Sequence, residues 1–411
     1  MKKHIVILTI FTIAMALLVG ISGCKKDSTK LTLSSITAGS IDLNLAYPEV
    51  NVPVNTTIIA TFSSTLNPAT VNSGNITMTR IYDNADIALT LTTAGSTVTI
   101  VPVEIMGNGS MYKLRFKSGI TSSSGQSVGT LDRYFTTIGS FVPSGMIAYY
   151  NFENTTADAM GNYPPKVGGV IDVAYTSSYS TLAGKAGKFN GTSTLIEIPN
   201  GDLLELSTEF TVSFWVKADS SKHGQFVMGL AGWYGFQFEL GSDYSWCKLA
   251  AQYSTDTIPA STSDDLYFPG DGKTKDNGGW KGCTFCKDLT GSGGVKYLLA
   301  AKWANVVCRF NGATKVATMF INGEKMKEQD YNLFDTPKTH FNGLKYNGVA
   351  GNNTFVFGFI QDKNNPTISD GWADYGNPAN NHFKGLLDDV RFFHKSLTNM
   401  EIQMMYNSAK P

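Results

Sequence analysis

Near the C-terminus, the stretch FKGLLDDVRFFHKSLTNMEI (Phe383 to Ile402) sets two carboxylates, Asp388 and Asp389, side by side in an apolar run. Two acids can serve as a general acid and base, hold a cation, or edge a solvated strand. Successive residues on a regular strand point to opposite faces. On such a strand these two could not enter one cleft at the separation of about 5–9 Å that paired glycoside chemistry needs. A cation makes a different demand, because calcium takes roughly six to eight oxygens and mixes carboxylates with carbonyls from distant segments. Asp388 would then be a ligand, and Asp389 would pair with a neighbour such as Arg391 or face water.

Other chemistry is thin. The run Glu-x-Asp-x-x-Glu that lines the groove of sandwich glycoside hydrolases is absent, as are a Gly-x-Ser-x-Gly elbow, His-Glu-x-x-His and a phosphate loop. The five histidines are scattered singly. Nothing supports catalysis, so no catalytic residue is assigned. Cys283 and Cys286 lack the second pair that a structural zinc site wants. The pairing of Cys247, Cys283, Cys286 and Cys308 stays open.

The elements that must position any site are strands. Charged residues are only 16% and aromatics 12%, with 41 glycines, which describes an all-β secreted chain. Lysine plus arginine equals aspartate plus glutamate at 33 each, so no global field attracts nucleic acid or anionic lipid. Met1 to Cys24 has a basic start, an apolar core too short to span a bilayer and small residues at its end, a secretory signal. Ile21-Ser22-Gly23-Cys24 resembles a bacterial lipobox, which implies signal removal after residue 23 and acylation of Cys24. The expected product is an exported, membrane-anchored lipoprotein at the outer membrane or cell surface. Residues 24–35 are polar and read as a tether.

Short strands split by turn residues follow: Thr56 to Phe62, Ser96 to Val103 and Met111 to Phe116. With Leu66-Asn67-Pro68-Ala69-Thr70-Val71 and a closing Asp132 to Thr137, they resemble the SbsA-type bacterial Ig-like domain. That implies a β-sandwich spacer over residues 36–138, and Ile138 to Gly145 then reads as linker (residues 139–145).

In residues 146–411, Phe210 to Asp219 alternates Val212, Phe214 and Val216 against Thr211, Ser213, Trp215 and Lys217, so the second set should face outward. Asn322-Gly323 signals a type I′ hairpin, and Ser396 or Thr398 can cap a short final helix. The phrases MIAYYNFENTTADAMGN, GKAGKFNGTSTLIEIP, FTVSFWVKAD, KWANVVCRFNGATKVATMFINGEKM and the closing FKGLLDDVRFFHKSLTNMEI resemble, in that order, a laminin-G-like, concanavalin A-like jelly roll. The resemblance implies a structural calcium held by Asp388, with partners among Phe152, Asn154, Asp158, Asn190 and Gly191.

Two stretches are long for connections, Ser254 to Gly294 and Gln361 to Asn381. Their Tyr267, Trp280, Trp372, Asp374 and Tyr375, with Trp233, suit a sugar, since a flat ring stacks on a pyranose and carboxylates or amides bond its hydroxyls. These are the candidate ligand residues, unless they form a satellite core that holds the loops down. The expected function is non-catalytic carbohydrate binding. A protein-binding adhesin and a divergent glycoside hydrolase or lyase are the alternatives.

Overall fold

The computed structural model describes residues 30–45, 48–221 and 224–411, and in them the chain is all-β. The expected signal and the expected acylation site Cys24 lie outside the described residues. The chain divides into two compact units, residues 30–106 with 111–137, and residues 107–110 with 138–411.

The first unit has two five-stranded sheets. One contains Leu33–Ala38, Ile58–Phe62 and Thr97–Pro102; the other contains Ile76–Arg80, Met111–Phe116 and Leu131–Thr137. Period-two alternation supplies the core, with Ile58, Ala60 and Phe62 from one sheet and Tyr112, Leu114 and Phe116 from the other. The expected tether is shorter than the sequence suggests, because Leu31 is buried and bridges to Val128, and the first strand begins at Leu33. These two leucines bury apolar surface that a free leash would leave in water.

The second unit is a sandwich of two larger sheets. The first runs Ala174–Ser177, Lys185–Asn190, Lys384–Phe393, Glu209–Ala218, Ala304–Asn311, Val316–Ile321, Glu324–Asp330, Cys283–Cys286, with Met146–Tyr150 also paired to Lys384–Phe393. The second runs Val170–Ile171, Leu195–Ile198, Phe355–Phe357, Gln225–Leu230, Phe236–Leu240, Cys247–Thr255, Ser261–Phe268. Aromatic edges from both sheets meet between them, as Phe214 does with Phe238 and Tyr150 with Phe357. Asn322 and Gly323, both at positive φ, turn the chain between two of these strands. The final helix Asn399–Ala409 starts at Thr398, whose hydroxyl accepts the Glu401 amide while Glu401 reaches back to the Thr398 amide.

Two expectations are corrected here. Strand Glu209–Ala218 does not expose its second face: Trp215 is buried between Tyr179 and Tyr406 of the final helix, and Thr211 and Ser213 are buried too. A second layer covers the strand, so alternation no longer means alternation of exposure. The stretch Ser254 to Gly294 is not one loop, since Ser261–Phe268 forms a hairpin with Cys247–Thr255 and Cys283–Cys286 is an edge strand.

Candidate ligand-binding groove

The paired aspartates break the rule of alternation. Ser213 pairs with Arg391 and Trp215 with Asp388, so Phe214 alone faces both Asp389 and Val390. This is a β-bulge, and Asp389 takes it up at φ 48°, a left-handed value that aspartate tolerates better than most residues. Both carboxylates therefore reach one adjoining segment. Ser178 donates to Asp388, while Tyr179 and Tyr149 donate to Asp389. Arg391 Nη2 adds a bond of 3.2 Å to Asp389. The expectation of opposite directions fails because the backbone is not regular at this point.

Their common surroundings are closed. Asp388 and Asp389 are 1% and 8% exposed. Burial, reinforced by the Asp389 charge, pushes the Asp388 carboxyl up to about 8. The same burial and charge push the Tyr149 hydroxyl up to about 12. With every polar partner drawn from the fold itself, the cluster is a buried network that pins the Ser178–Tyr179 segment over the sheet.

The implied calcium does not fit this donor set. Asp158 accepts the amides of Tyr149 (2.8 Å) and Met160 (3.0 Å) on one oxygen, and those of Asn162 (2.8 Å) and Tyr163 (2.9 Å) on the other. The Asn190 side-chain oxygen accepts the amides of Thr192, Ser193 and Thr194. The Phe152 carbonyl accepts the Asn154 amide, and Gly191 lies against the Lys384 stem. Nor do the residues converge. Asn190 stands opposite Lys384, Asp388 opposite Trp215, and Asp158 holds the amide of Tyr149, which faces Arg391, so they are strung along one strand. Among the described residues, no group of three or more His, Cys, Asp or Glu is arranged to hold a metal. All four cysteines at 247, 283, 286 and 308 are buried free thiols.

The aromatic candidates divide into two sets. Trp233, Tyr267 and Trp280 line one groove of about 450 Å³, together with Asp264, Asp265, Lys327, Gln329, Phe334 and Lys338. Strand Ser261–Phe268, the outer strand of the second sheet, forms one wall, and Glu324–Asp330 of the first sheet contributes Lys327 and Gln329. Here the strand is regular. Asp264 takes the Gln329 amide (2.9 Å) and Lys338 (3.1 Å), while Asp265 turns the other way to Lys248 (2.8 Å). Burial raises the Asp264 carboxyl, with Lys338 opposing.

Two tryptophans stand out from this frame: Trp280 is 74% and Trp233 49% exposed. Trp280 rides on a loop tied by hydrogen bonds from Lys275 and Gly279, and Gly282 beside it lies so near Phe334 that a side chain would overlap the ring. Trp233 is thrown outward by two left-handed residues, Ala231 (φ 53°) and Gly232 (φ 57°). Tyr267 lies beside Trp246, ring centroids 5.5 Å apart.

Trp372, Asp374 and Tyr375 do not line this groove. Trp372 and Tyr375 pack on the small satellite core of Leu195, Phe226, Val356, Phe359, Ile360, Ile368 and Ala373. Tyr375 donates to the Ser193 carbonyl at 2.5 Å, and Asp374 is exposed and caps the Gly376 amide. Trp372 meets Trp233 edge-on at 5.9 Å, so the second stretch braces the groove from behind. Residues that pattern reading missed are Gln329, Phe334 and Lys338, which reach the groove from the opposite sheet and from the turns that follow its strand Glu324–Asp330.

Among solved structures, residues of this chain resemble the binding domain of Paraclostridial Mosquitocidal Protein 1, at 16% identity and a TM-score of 0.42. That likeness covers 64% of this chain and 52% of the other. The binding domain of Botulinum Neurotoxin DC in complex with SialylT is similar at 14% identity and a TM-score of 0.39, over 64% and 52% of the two chains. The same neurotoxin domain in complex with rat synaptotagmin II gives 14% and 0.40, over 66% and 53%. The chain thus spans about half the length of these structures. No curated protein matches it. Residues 28–137 match the family described as the bacterial Ig-like domain, and the paired five-stranded sheets of the first unit are the fold of that part of the chain.

Proposed function

We propose that the second unit is a non-catalytic carbohydrate-binding module and that the Trp233–Trp280 groove is its site. The observation that carries this reading is the exposure of two tryptophans beside hydrogen-bonding side chains of fixed orientation. Exposed large aromatics are costly in water and repay that cost against a flat apolar surface. Asp264 and Gln329 hold each other, and Lys338 lies over Phe334 with 4.6 Å from ammonium to ring centre. A sugar entering the groove would meet oriented donors and acceptors rather than mobile ones, which lowers the ordering cost of binding. Asp264 and Asp265 diverge into separate partnerships, which favours binding over a bond-breaking pair.

In this reading the first unit is a spacer, and acylated Cys24 tethers the exported protein to the outer membrane or cell surface. Labelled fatty acid should enter the wild-type chain and not Cys24→Ala when each is expressed in a bacterial host. For the site, affinity gel electrophoresis of the full chain on a panel of neutral polysaccharides should show retardation that Trp280→Ala and Trp233→Ala abolish without moving the calorimetric transitions. Retention unchanged in both variants would remove the groove from the function. Release of new reducing ends would make the protein an enzyme, and capture of a protein ligand with no polysaccharide retained would make it an adhesin.

A further inference from the structure

We infer a second binding site, for an anionic saccharide, on the outer face of the first sheet of the second unit. Lys188 and Lys217 each pair with Leu386, from the strands on either side of it. Directly opposed residues share a face, so the three form one row, lysine, leucine, lysine. Strands lie about 4.8 Å apart, which places the two lysine origins roughly 10 Å from each other across the leucine. The next row is Asn190 opposite Lys384, with Asp219 hydrogen-bonded to the Lys384 backbone. These residues, with Ala218, Ala301 and Phe189 among the walls, line a concavity of about 500 Å³.

The charges in this cleft do not cancel. Asp219 pairs with Lys384 (3.3 Å), and Lys384 also bonds Ser221 Oγ (2.9 Å). Lys188 and Lys217 make no ion pair or side-chain hydrogen bond among the described residues. Two cationic side chains rooted roughly 10 Å apart, about one Debye length, repel each other, so the cleft favours an anion. The cleft's backbone is firmly set. A side chain at Gly385 would meet the Lys217 carbonyl at 2.4 Å, and one at Gly191 the Lys384 Cβ at 2.7 Å, so the two strands and the lysine stem sit at closest approach.

The ligand class follows from what lies between the cations. Leu386 gives an apolar floor, and the rim is positive. A pyranose with a carboxylate or sulfate group fits both, its C–H face on Leu386 and its anionic group between Lys188 and Lys217. A concave site of this size suits a ring better than a flat membrane. With the whole chain at balanced charge, no wider basic field points to nucleic acid. The site shares no residue with the tryptophan groove.

The test compares the full chain with Lys188→Gln/Lys217→Gln and with Trp280→Ala in affinity gels of polygalacturonate, heparin and neutral dextran, at low and raised salt. Wild type and Trp280→Ala should both be retarded by an acidic polymer, the double variant about tenfold less, and added salt should weaken the first two more than the third. Equal retardation of wild type and double variant, or none by either acidic polymer, would overturn the site. Loss on Trp280→Ala alone would assign the acidic polymer to the groove and overturn it as well. Flotation with phosphatidylglycerol vesicles, in the absence of polymer retention, would replace the saccharide with a lipid headgroup and also end the proposal. Calorimetric transitions of both variants, unchanged from wild type, show that neither result comes from unfolding.

Discussion

Tyr179 lies flat on Trp215, ring centroids 4.0 Å apart and planes 14° from parallel, while its hydroxyl donates to Asp389. One side chain thus covers a tryptophan on a central strand and satisfies a buried acid. Tyr179→Phe keeps the ring and loses the hydrogen bond, which should cost about 1–2 kcal/mol. Tyr179→Ala loses both and should cost about 3–5 kcal/mol. Chemical denaturation followed by tryptophan fluorescence should give that order.

Acid stability provides a second check. An unfolded aspartate titrates near 3.9, whereas Asp388 in the fold sits at about 8. Between those values the native state keeps a proton that the unfolded state has released. The stability is therefore whole below about pH 4 and is lost as pH rises toward 8, by at most about 1.4 kcal/mol per pH unit. Asp389, Tyr149, Tyr179 and Arg391 share the cluster. Asp388→Asn should flatten the melting temperature across this window and be the more stable protein at pH 8. A wild-type curve that rises over the window would refute this.

Glu205 is a further acid in the wrong medium, fully buried, with no hydrogen-bond partner for either carboxyl oxygen among the described residues and its ionisation pushed well upward by that burial. Glu205→Gln removes the titration and should raise the melting temperature at neutral pH while changing little near pH 4.

Removal of metal should do little to the fold. Asp158 and Asn190 already spend their oxygens on backbone amides. Chelator should leave the melting temperature where it was, whereas Asp158→Ala, which strips the acceptor from four part-buried backbone N–H groups, should cost about 3 kcal/mol with or without added calcium. A chelator-induced drop would restore calcium to this unit.

Gly232 tests the bracing of the groove. A Cβ there would fall 2.1 Å from Ile368 Cδ1, on a backbone at φ 57°. Gly232→Ala should cost about 1–2 kcal/mol and weaken polysaccharide retention, although Gly232 does not line the groove. Retention equal to wild type would show that Trp233 needs no such support.

How much of this was legible depended on how local each feature is. Asn322-Gly323 and the Thr398–Glu401 cap depend on residues within one turn, and both are where the spacing predicts. The all-β class followed from composition and the strand pattern. Trp233, Tyr267 and Trp280 could be picked out by residue type, but their convergence depends on sheet order. Gln329 carries no mark in the sequence because its role comes from standing across from Asp264. The alternation rule works at Asp264 and Asp265 and fails at Asp388 and Asp389. The difference is a bulge in the pairing of Lys384–Phe393 with Glu209–Ala218, which no pair of adjacent letters reveals. Trp215 misled for a related reason, because the layer that covers it comes from Tyr179 and Tyr406, distant in sequence.

The early start of the first unit has a consequence for reach. With Leu31 already seated in the core, only Lys25 to Lys30 would separate an acylated Cys24 from folded protein. Six residues pulled taut extend about 20 Å. On the proposed acylation, the first unit would lie within that distance of the headgroups, held by a short leash rather than a swinging stalk.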